Sequence, residues 1–405
     1  MQFIEGGVTS PAGFTASGML CHIKENRTKN DTALIFSEKL CNAAGMFTQN
    51  RVKAESVKLC MKNIADGKIQ AVIANSGNAN ACTGEEGRLN AEKESQKVAA
   101  VLGIKAEDVL VASTGVIGQQ LPVQKILSNV ETLASKLSKE GHKDAREAIM
   151  TTDTKYKECA VETVIGGKTV RIGAMCKGSG MIHINLGTML SFMTTDCAIS
   201  SQMLSKALRT SVAGTYNCVS VDGDTSTNDT LVILANGMAG NAPIESEGAD
   251  YDAFLEALNE INTQMAKKIA ADGEGASRLI ECHVSGAKDV ENARVLAKSV
   301  ISSSLVKAAF FGKDANWGRI LCTMGYCGAE FNPDKTSVTF VSANGTIKVF
   351  EKGVPLNFDE DLAKEILTAD EVTVEAECED GSAEGRAWGC DLTYEYVKIN
   401  GDYRT

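Results

Sequence analysis

Proline and histidine are scarce in this chain: five and four residues of 405. So few prolines exclude a Pro-rich linker, and no low-complexity tract takes its place, so composition marks no domain boundary. His22, His142, His183 and His283 form no ligand-spaced pair, which argues against a zinc or iron site. The thirteen cysteines include no CxxC, and the closest pair is Cys322 and Cys327. An odd number of thiols, with no export signal, points to reduced and mostly buried cysteines rather than a disulfide framework. The opening MQFIEGGVTSPAGF lacks a basic segment followed by an apolar one, so no signal peptide is expected. No apolar run reaches the length of a membrane-spanning helix, and the expected location is the cytoplasm. Positive charge is in deficit, with a net charge of −11. That argues against nucleic acid or an anionic membrane as partner. The Gly-rich stretch NSGNANACTG, Asn75 to Gly84, lacks G-K-[ST] and offers no lysine, so it is not a phosphate loop.

What is present fits a globular protein. Hydrophobic content of 43% and 23% charged residues are ordinary, and the length would usually hold two or more domain-sized units. QAVIANSGNANACTG predicts a buried strand over Ala71 to Ala74, then a small-residue loop and a helix from Glu85 to about Ala100. DVLVASTGVIG repeats the scheme, with a strand over Val109 to Ala112, a Thr-Gly turn, and a helix from about Val123 to Lys139. Helices are expected from about Tyr251 to Ala270 and from Ala293 to Ala308, and VTFVSANGTIKVF reads as a hairpin turning at Asn344-Gly345. Strands and helices intermix throughout, which indicates an α/β or α+β class.

The most informative stretch is KGSGMIHINLGTMLSFMTTD, Lys177 to Asp196. On composition alone it reads as a buried strand behind a Gly turn. It also contains Gly187-Thr188. A threonine hydroxyl is a poor nucleophile at neutral pH. Cutting the chain before the threonine frees an α-amino group of pKa about 8 that can act as base for the hydroxyl of its own residue. His183, inside the run, is more often structural than catalytic when it stands alone. STGVIG, Ser113 to Gly118, follows a strand and is the best candidate for donors to an oxyanion. DGEGASR, Asp272 to Arg278, sets Glu274 between two glycines, so its carboxylate is able to approach a ligand closely. VDGDTSTNDT, Val221 to Thr230, has three aspartates but neither the spacing nor the closing glutamate of an EF-hand.

The central run resembles the self-cleavage motif of the ornithine acetyltransferases, the glutamate N-acetyltransferases of the cyclic arginine pathway, whose pattern is close to KGSGMIxPNMATMLxFxxTD. Ile184, Leu186 and Gly187 replace the usual proline, methionine and alanine, and none removes a group that cleavage needs. The similarity extends from about Gly13 to Thr405. It implies a layered α/β sandwich like that of the N-terminal-nucleophile hydrolases but distinct in connectivity. It implies cleavage at Gly187-Thr188 into chains 1–187 and 188–405, which assemble as an α2β2 heterotetramer. Thr188 is then the nucleophile that passes acetyl from N2-acetylornithine to glutamate, in a ping-pong reaction without metal or cofactor. Acetyl-CoA remains open as a second donor. Thr114 and Gly115 fall on the family's oxyanion pair. Lys177, Glu274 and one of Thr151 and Thr152 fall on substrate-binding positions, and the C-terminal match VKINGDYRT adds Asn400 and Thr405. DANWGRI, Asp314 to Ile320, suggests a turn packed under the site. Two other readings stay open: a self-processing aminopeptidase or amidase that passes the acyl group to water, and a non-enzymatic amino-acid-binding protein.

Overall fold

The computed structural model describes residues 1–183 and 189–401. Gly187, Thr188 and Thr405, with Ile184 and Leu186, lie outside the described residues. The chain forms two compact units, each drawn from non-contiguous stretches: 1–178, 189–213 and 225–265 in the first, 179–183, 214–224 and 266–401 in the second. Composition shows no boundary because the chain passes between units several times without a linker.

The first unit is built on a mixed nine-stranded sheet. In spatial order its strands are Gln2–Ile4, Lys157–Ile165, Lys168–Lys177, Leu190–Thr195, Thr230–Ala235, Thr32–Phe47, Lys68–Asn78 and Val109–Val116, with Phe14–Met19 also paired to Thr32–Phe47. Two pairs are parallel, Leu190–Thr195 with Thr230–Ala235 and Lys68–Asn78 with Val109–Val116. The period-two alternation of strands divides the core between the two faces. Val72, Ala74, Leu110 and Ala112 join one cluster with Phe192 and Val232. Ala71, Ile73, Val109 and Val111 join the other, under Ala91 and Val98 of helix Gly84–Leu102. That helix stops at Gly103, whose φ of 70° ends it in a left-handed conformation.

The helix anticipated over Val123 to Lys139 is instead two short ones, Val123–Leu127 and Val130–Ser135. Ser128 and Asn129 turn their side chains onto the carbonyls of Gln124 and Lys125, and this side-chain bonding competes with the helical ladder. The anticipated Ala293 to Ala308 helix likewise divides into Val290–Ser302 and Ser304–Gly312, which meet at 57°. Ser303 is extended and its hydroxyl accepts from the Val306 N–H, capping the second helix. Tyr251 to Ala270 falls within an observed helix, Ala249–Ala271.

The second unit carries a six-stranded sheet, in order Val354–Pro355, Gly345–Glu351, Ser337–Ser342, Glu371–Glu377, Leu279–Ala287 and Ala383–Cys390. The hairpin is present, but Ser342 pairs with Gly345, so its two-residue turn is Ala343-Asn344. Helix Val290–Ser302 lies so close to strand Ala383–Cys390 that a Cβ on Gly385 would stand 2.7 Å from the Ala293 backbone. All thirteen cysteines are free and nine are buried, as expected of reduced thiols packed as small hydrophobes.

Candidate active site

Three neighbouring strands of the first unit bring their ends together around Lys177. Lys177 ends its strand opposite Leu190, and Leu190 pairs in turn with Thr230. Lysine is usually exposed, yet Lys177 is only 7% exposed. A buried ammonium needs a partner, and Asp153 answers that need. The Asp153 carboxylate lies 2.6 Å from Lys157 Nζ and accepts the Gly178 N–H at 2.8 Å. Its second oxygen accepts the Thr151 N–H at 3.1 Å. Burial alone would raise the Asp153 carboxyl, but Lys177, Lys157 and these donors hold it down at about 2. One buried anion therefore gathers Thr151 and the Lys177–Gly178 corner. Thr152 is also half-buried. The sequence reading did not single out Asp153. Its signal was the Asp-x-x-x-Lys spacing of TDTKYK, which has no meaning until the Lys177 strand is beside it.

Thr114 and Gly115 do not form a turn after the strand. The strand runs on through Val116, with Ser76 opposite Thr114 and Gly77 opposite Gly115. The register then slips, so that Asn78 faces both Thr114 and Val116. Such a bulge re-aims backbone groups within a sheet. Gly115 has φ 137°, and a Cβ on it would collide with the Gly77 backbone, so only glycine fits here. The asparagines of NSGNAN hold the bulge. Asn75 donates to the Asn78 carbonyl, and Asn78 donates to the carbonyls of Gln119 and Gln120. Asn228, from the TSTNDT segment, donates to the carbonyls of Ala79 at 2.5 Å and Ser113 at 2.7 Å. The stretch that imitates a phosphate loop is thus a scaffold for Thr114 and Gly115.

Within the second unit, the central run and Glu274 are joined directly. The Glu274 N–H donates to the Ser179 carbonyl at 3.0 Å, and the Ser179 hydroxyl donates to the Asp272 carbonyl at 2.6 Å. A Cβ on Gly180 would collide with the Glu274 carboxylate, so the second glycine of KGSG is the space that carboxylate occupies. Asn400 donates to Glu274 Oε2 at 2.7 Å. Glu274 and Asn400, paired in the sequence reading only by resemblance, therefore meet. Gly275 takes φ 70°, with the Tyr396 backbone too near for a side chain. His183 Nδ1 lies 3.0 Å from the Ser220 hydroxyl, and burial pushes the ring down to about 4.

Asp222 accepts the N–H groups of Met181 and Ile182 at 2.6 and 2.8 Å. Asp224 is exposed and Asp229 is buried. Among the described residues no cluster of metal-binding side chains occurs. DANWGRI is not a turn beneath these residues but a helix start. Asn316 caps Trp317–Tyr326, and Trp317 stacks on Phe350 with centroids 4.9 Å apart.

The family model of the ArgJ family matches residues 15–405. The chain belongs to the ArgJ family. It is 50% identical over 405 residues, covering all of both chains, to the arginine biosynthesis bifunctional protein ArgJ of Caldanaerobacter subterraneus subsp. tengcongensis. It is 51% identical over 398 residues to ArgJ 1 of Clostridium acetobutylicum, covering 98% of this chain and 97% of that one. Among solved structures it is similar to the ArgJ bifunctional protein of Bacillus halodurans, with a TM-score of 0.51 and 43% identity over 53% of this chain and 100% of that one. The resemblance carried by the central run is thereby borne out at the level of the family.

Proposed function

We propose that this protein is a self-cleaving ornithine acetyltransferase of arginine biosynthesis. The observation that carries the reading is membership of the ArgJ family over nearly the full chain. Cleavage at Gly187-Thr188 is carried over from the central run, and membership of the ArgJ family is consistent with it. The cleaved chains, 1–187 and 188–405, assemble as an α2β2 heterotetramer in the cytoplasm.

In the proposed reaction the freed amine of Thr188 takes the hydroxyl proton as Oγ attacks the acetyl carbonyl of N2-acetylornithine. The oxyanion is stabilised by Thr114 and Gly115. Their place at a bulge held by Asn75, Asn78 and Asn228 supports that role, because donors fixed before the reaction cost no reorganisation during it. The C–N bond breaks, ornithine leaves with the proton, and acetyl stays on Oγ. Glutamate then takes the acetyl group by the same steps in reverse. Lys177 serves the substrate carboxylate, and Glu274 with Asn400 serves the amino-acid frame. Thr151, bonded through its N–H to the same aspartate as Gly178, is preferred to Thr152 as the substrate-binding threonine. Thr405 is carried over from the family pattern alone. No metal or cofactor is assigned, and acetyl-CoA is a candidate second donor.

Mixing the enzyme with N2-acetylornithine and no acceptor tests the core of this reading. A burst of about one ornithine per site is expected, the kinetic sign of an acyl-enzyme. Chain 188–405 should gain one acetyl group on Thr188, and glutamate should discharge it. Transfer to glutamate without any acetylated chain, after rapid quenching at saturating donor, overturns the ping-pong assignment.

A further inference from the structure

Residues 149–156 connect helix His142–Ala148 to strand Lys157–Ile165 without regular structure. A threonine in such a connection is not aimed by a helical or sheet ladder, so its backbone groups need partners of another kind. The Met150–Thr151 peptide has two, and both are charged. On its N–H side, Thr151 donates to Asp153 Oδ2 at 3.1 Å. On its carbonyl side, the Met150 oxygen accepts from Arg27 Nη2 at 2.8 Å. A peptide unit is planar, so fixing its oxygen and its hydrogen fixes the whole plane. Hydrogen bonds to ionised groups are also roughly twice as strong as neutral ones.

Arg27 is itself held. Its Nη2 and Nε donate to the Asn30 carbonyl at 2.9 and 3.3 Å. The Asn30 N–H donates in turn to Glu147, in helix His142–Ala148, at 3.3 Å. The other end of the segment is tied to the bulge. The Asp31 carboxylate, fully buried, accepts the N–H groups of Cys21 and Ile23 at 2.7 and 2.8 Å. The Asp31 carbonyl accepts the Ser76 N–H at 2.9 Å, and Ser76 stands opposite Thr114. A Cβ on Gly77, opposite Gly115, would lie 3.5 Å from Ile23 and from Lys24. Segment 21–31 therefore runs from the strand beside Thr114 and Gly115 to the Met150–Thr151 peptide.

We propose that Arg27 is a positioning residue for substrate binding, which clamps the Met150 carbonyl and so sets the angle at which Thr151 meets the substrate. The proposal rests on the reading of Thr151 as the substrate-binding threonine. In this role Arg27 acts through Thr151 and not on the substrate itself. The competing use of a cation here is a cap for helix His142–Ala148, because helix C-termini attract positive charge. The two uses differ in what is lost with Arg27. A cap contributes to stability and leaves binding alone. A clamp contributes to the binding of both N2-acetylornithine and glutamate, since they meet the same threonine. The planar guanidinium reaches the Asn30 and Met150 oxygens together, and a lysine ammonium has no such fork.

Steady-state release of ornithine from N2-acetylornithine, with glutamate as acceptor, tests the role in the purified enzyme. Arg27→Gln should raise KM for both substrates about tenfold, the effect of losing one charge-assisted hydrogen bond. Its kcat should change less than about twofold, and its melting temperature should stay within about 2 °C of wild type. Arg27→Lys, which keeps the charge but not the fork, should fall between the two. Thr151→Ala should raise both KM values, and adding Arg27→Gln to it should raise them no further, because the clamp then has nothing to position. Unchanged KM in Arg27→Gln overturns the proposal, whether or not the melting temperature falls as it would on losing a cap. A further rise in KM on the Thr151→Ala background overturns it as well. If Arg27→Gln does not fold, Arg27→Lys decides: raised KM for both substrates supports the clamp, and wild-type KM overturns it. Thr151→Ala alone separates the proposal from the reading beneath it. If it leaves both KM values unchanged, the assignment of Thr151 fails and the clamp with it. If it raises them while Arg27→Gln does not, only the clamp fails.

Discussion

Asp153 and Glu94 are two acids withdrawn from water with opposite consequences. Asp153 sits at the Lys177 strand end among Lys157, Lys177 and two backbone N–H groups, and is held down at about 2. Glu94 sits on the inner face of helix Gly84–Leu102 between Ala91 and Val98, fully buried, with neither carboxyl oxygen bonded among the described residues. Burial pushes it up to about 8. Burial alone therefore does not decide the state of an acid; the groups buried with it do. The first region stores a fixed charge where substrate is proposed to bind. The second keeps a proton inside the apolar layer.

Removing the anion from the first region should produce the largest effect. Asp153→Ala removes the carboxylate that lies 2.6 Å from the Lys157 ammonium, whose side chain is 1% exposed, and the anion that acts on Lys177. Breaking a buried pair in this way costs about 3–5 kcal/mol. Urea unfolding at pH 7 should show a loss of that order, and KM should rise, since Thr151 and Gly178 lose the acceptor that fixes them. A loss below about 1 kcal/mol would mean that Asp153 is not the centre of this region.

The two acids should also act on opposite sides of the pH scale. Asp153 is depressed, so its stabilisation is present above its ordinary value near 4 and is lost as pH falls through about 2. Glu94 is raised. Its folded form holds a proton that the unfolded chain releases, so its contribution is full below its ordinary value near 4.5 and is lost as pH rises to about 8. Up to about 1.4 kcal/mol per pH unit is at stake across that interval. Glu94→Gln, which stays neutral, should flatten the fall in melting temperature between pH 5 and 8 and exceed wild type at pH 8. Parallel wild-type and variant curves would show that Glu94 is ionised in the fold.

The sequence made the first region partly legible and the second not at all. Lys177, Glu274 and the Thr114-Gly115 pair stood out because each belongs to a short motif with a chemical meaning. The strands around Val72 and Leu110 were legible from their apolar runs. Asp153 was not, because its meaning comes from strands that pair across long sequence separations. Glu94 was invisible, since a glutamate in an amphipathic helix reads as solvated until packing covers it. The breaks at Ser128 and Ser303 depend on side chains bonding the backbone, which periodicity does not register. The bulge at Gly115 was taken for a turn because Thr-Gly favours both.

The smallest effect concerns helix Glu55–Asn63 where it meets the strand that carries Thr114. On helix Glu55–Asn63, Cys60 and Asn63 reach the carbonyls of Val111 and Val109, so this stripe faces the strand that leads to Thr114. Ser56 lies one turn earlier on the same stripe. Ser113, two residues beyond Val111, shares its face of the strand. Both serine hydroxyls are buried without a partner among the described residues, as is Oδ1 of Asn75, which pairs with Ser113 in register. If these oxygens are dry, deleting one relieves a desolvation penalty and offsets the small cavity it leaves. Ser56→Ala should then change stability by no more than about 1 kcal/mol, in the direction of greater stability. If a buried water bonds the Ser56 hydroxyl, the variant strands that water and should lose about 2 kcal/mol or more. The sign of the change in urea midpoint therefore reports whether the polar layer under the Thr114 strand is dry, like the apolar residues that surround Glu94, or solvated.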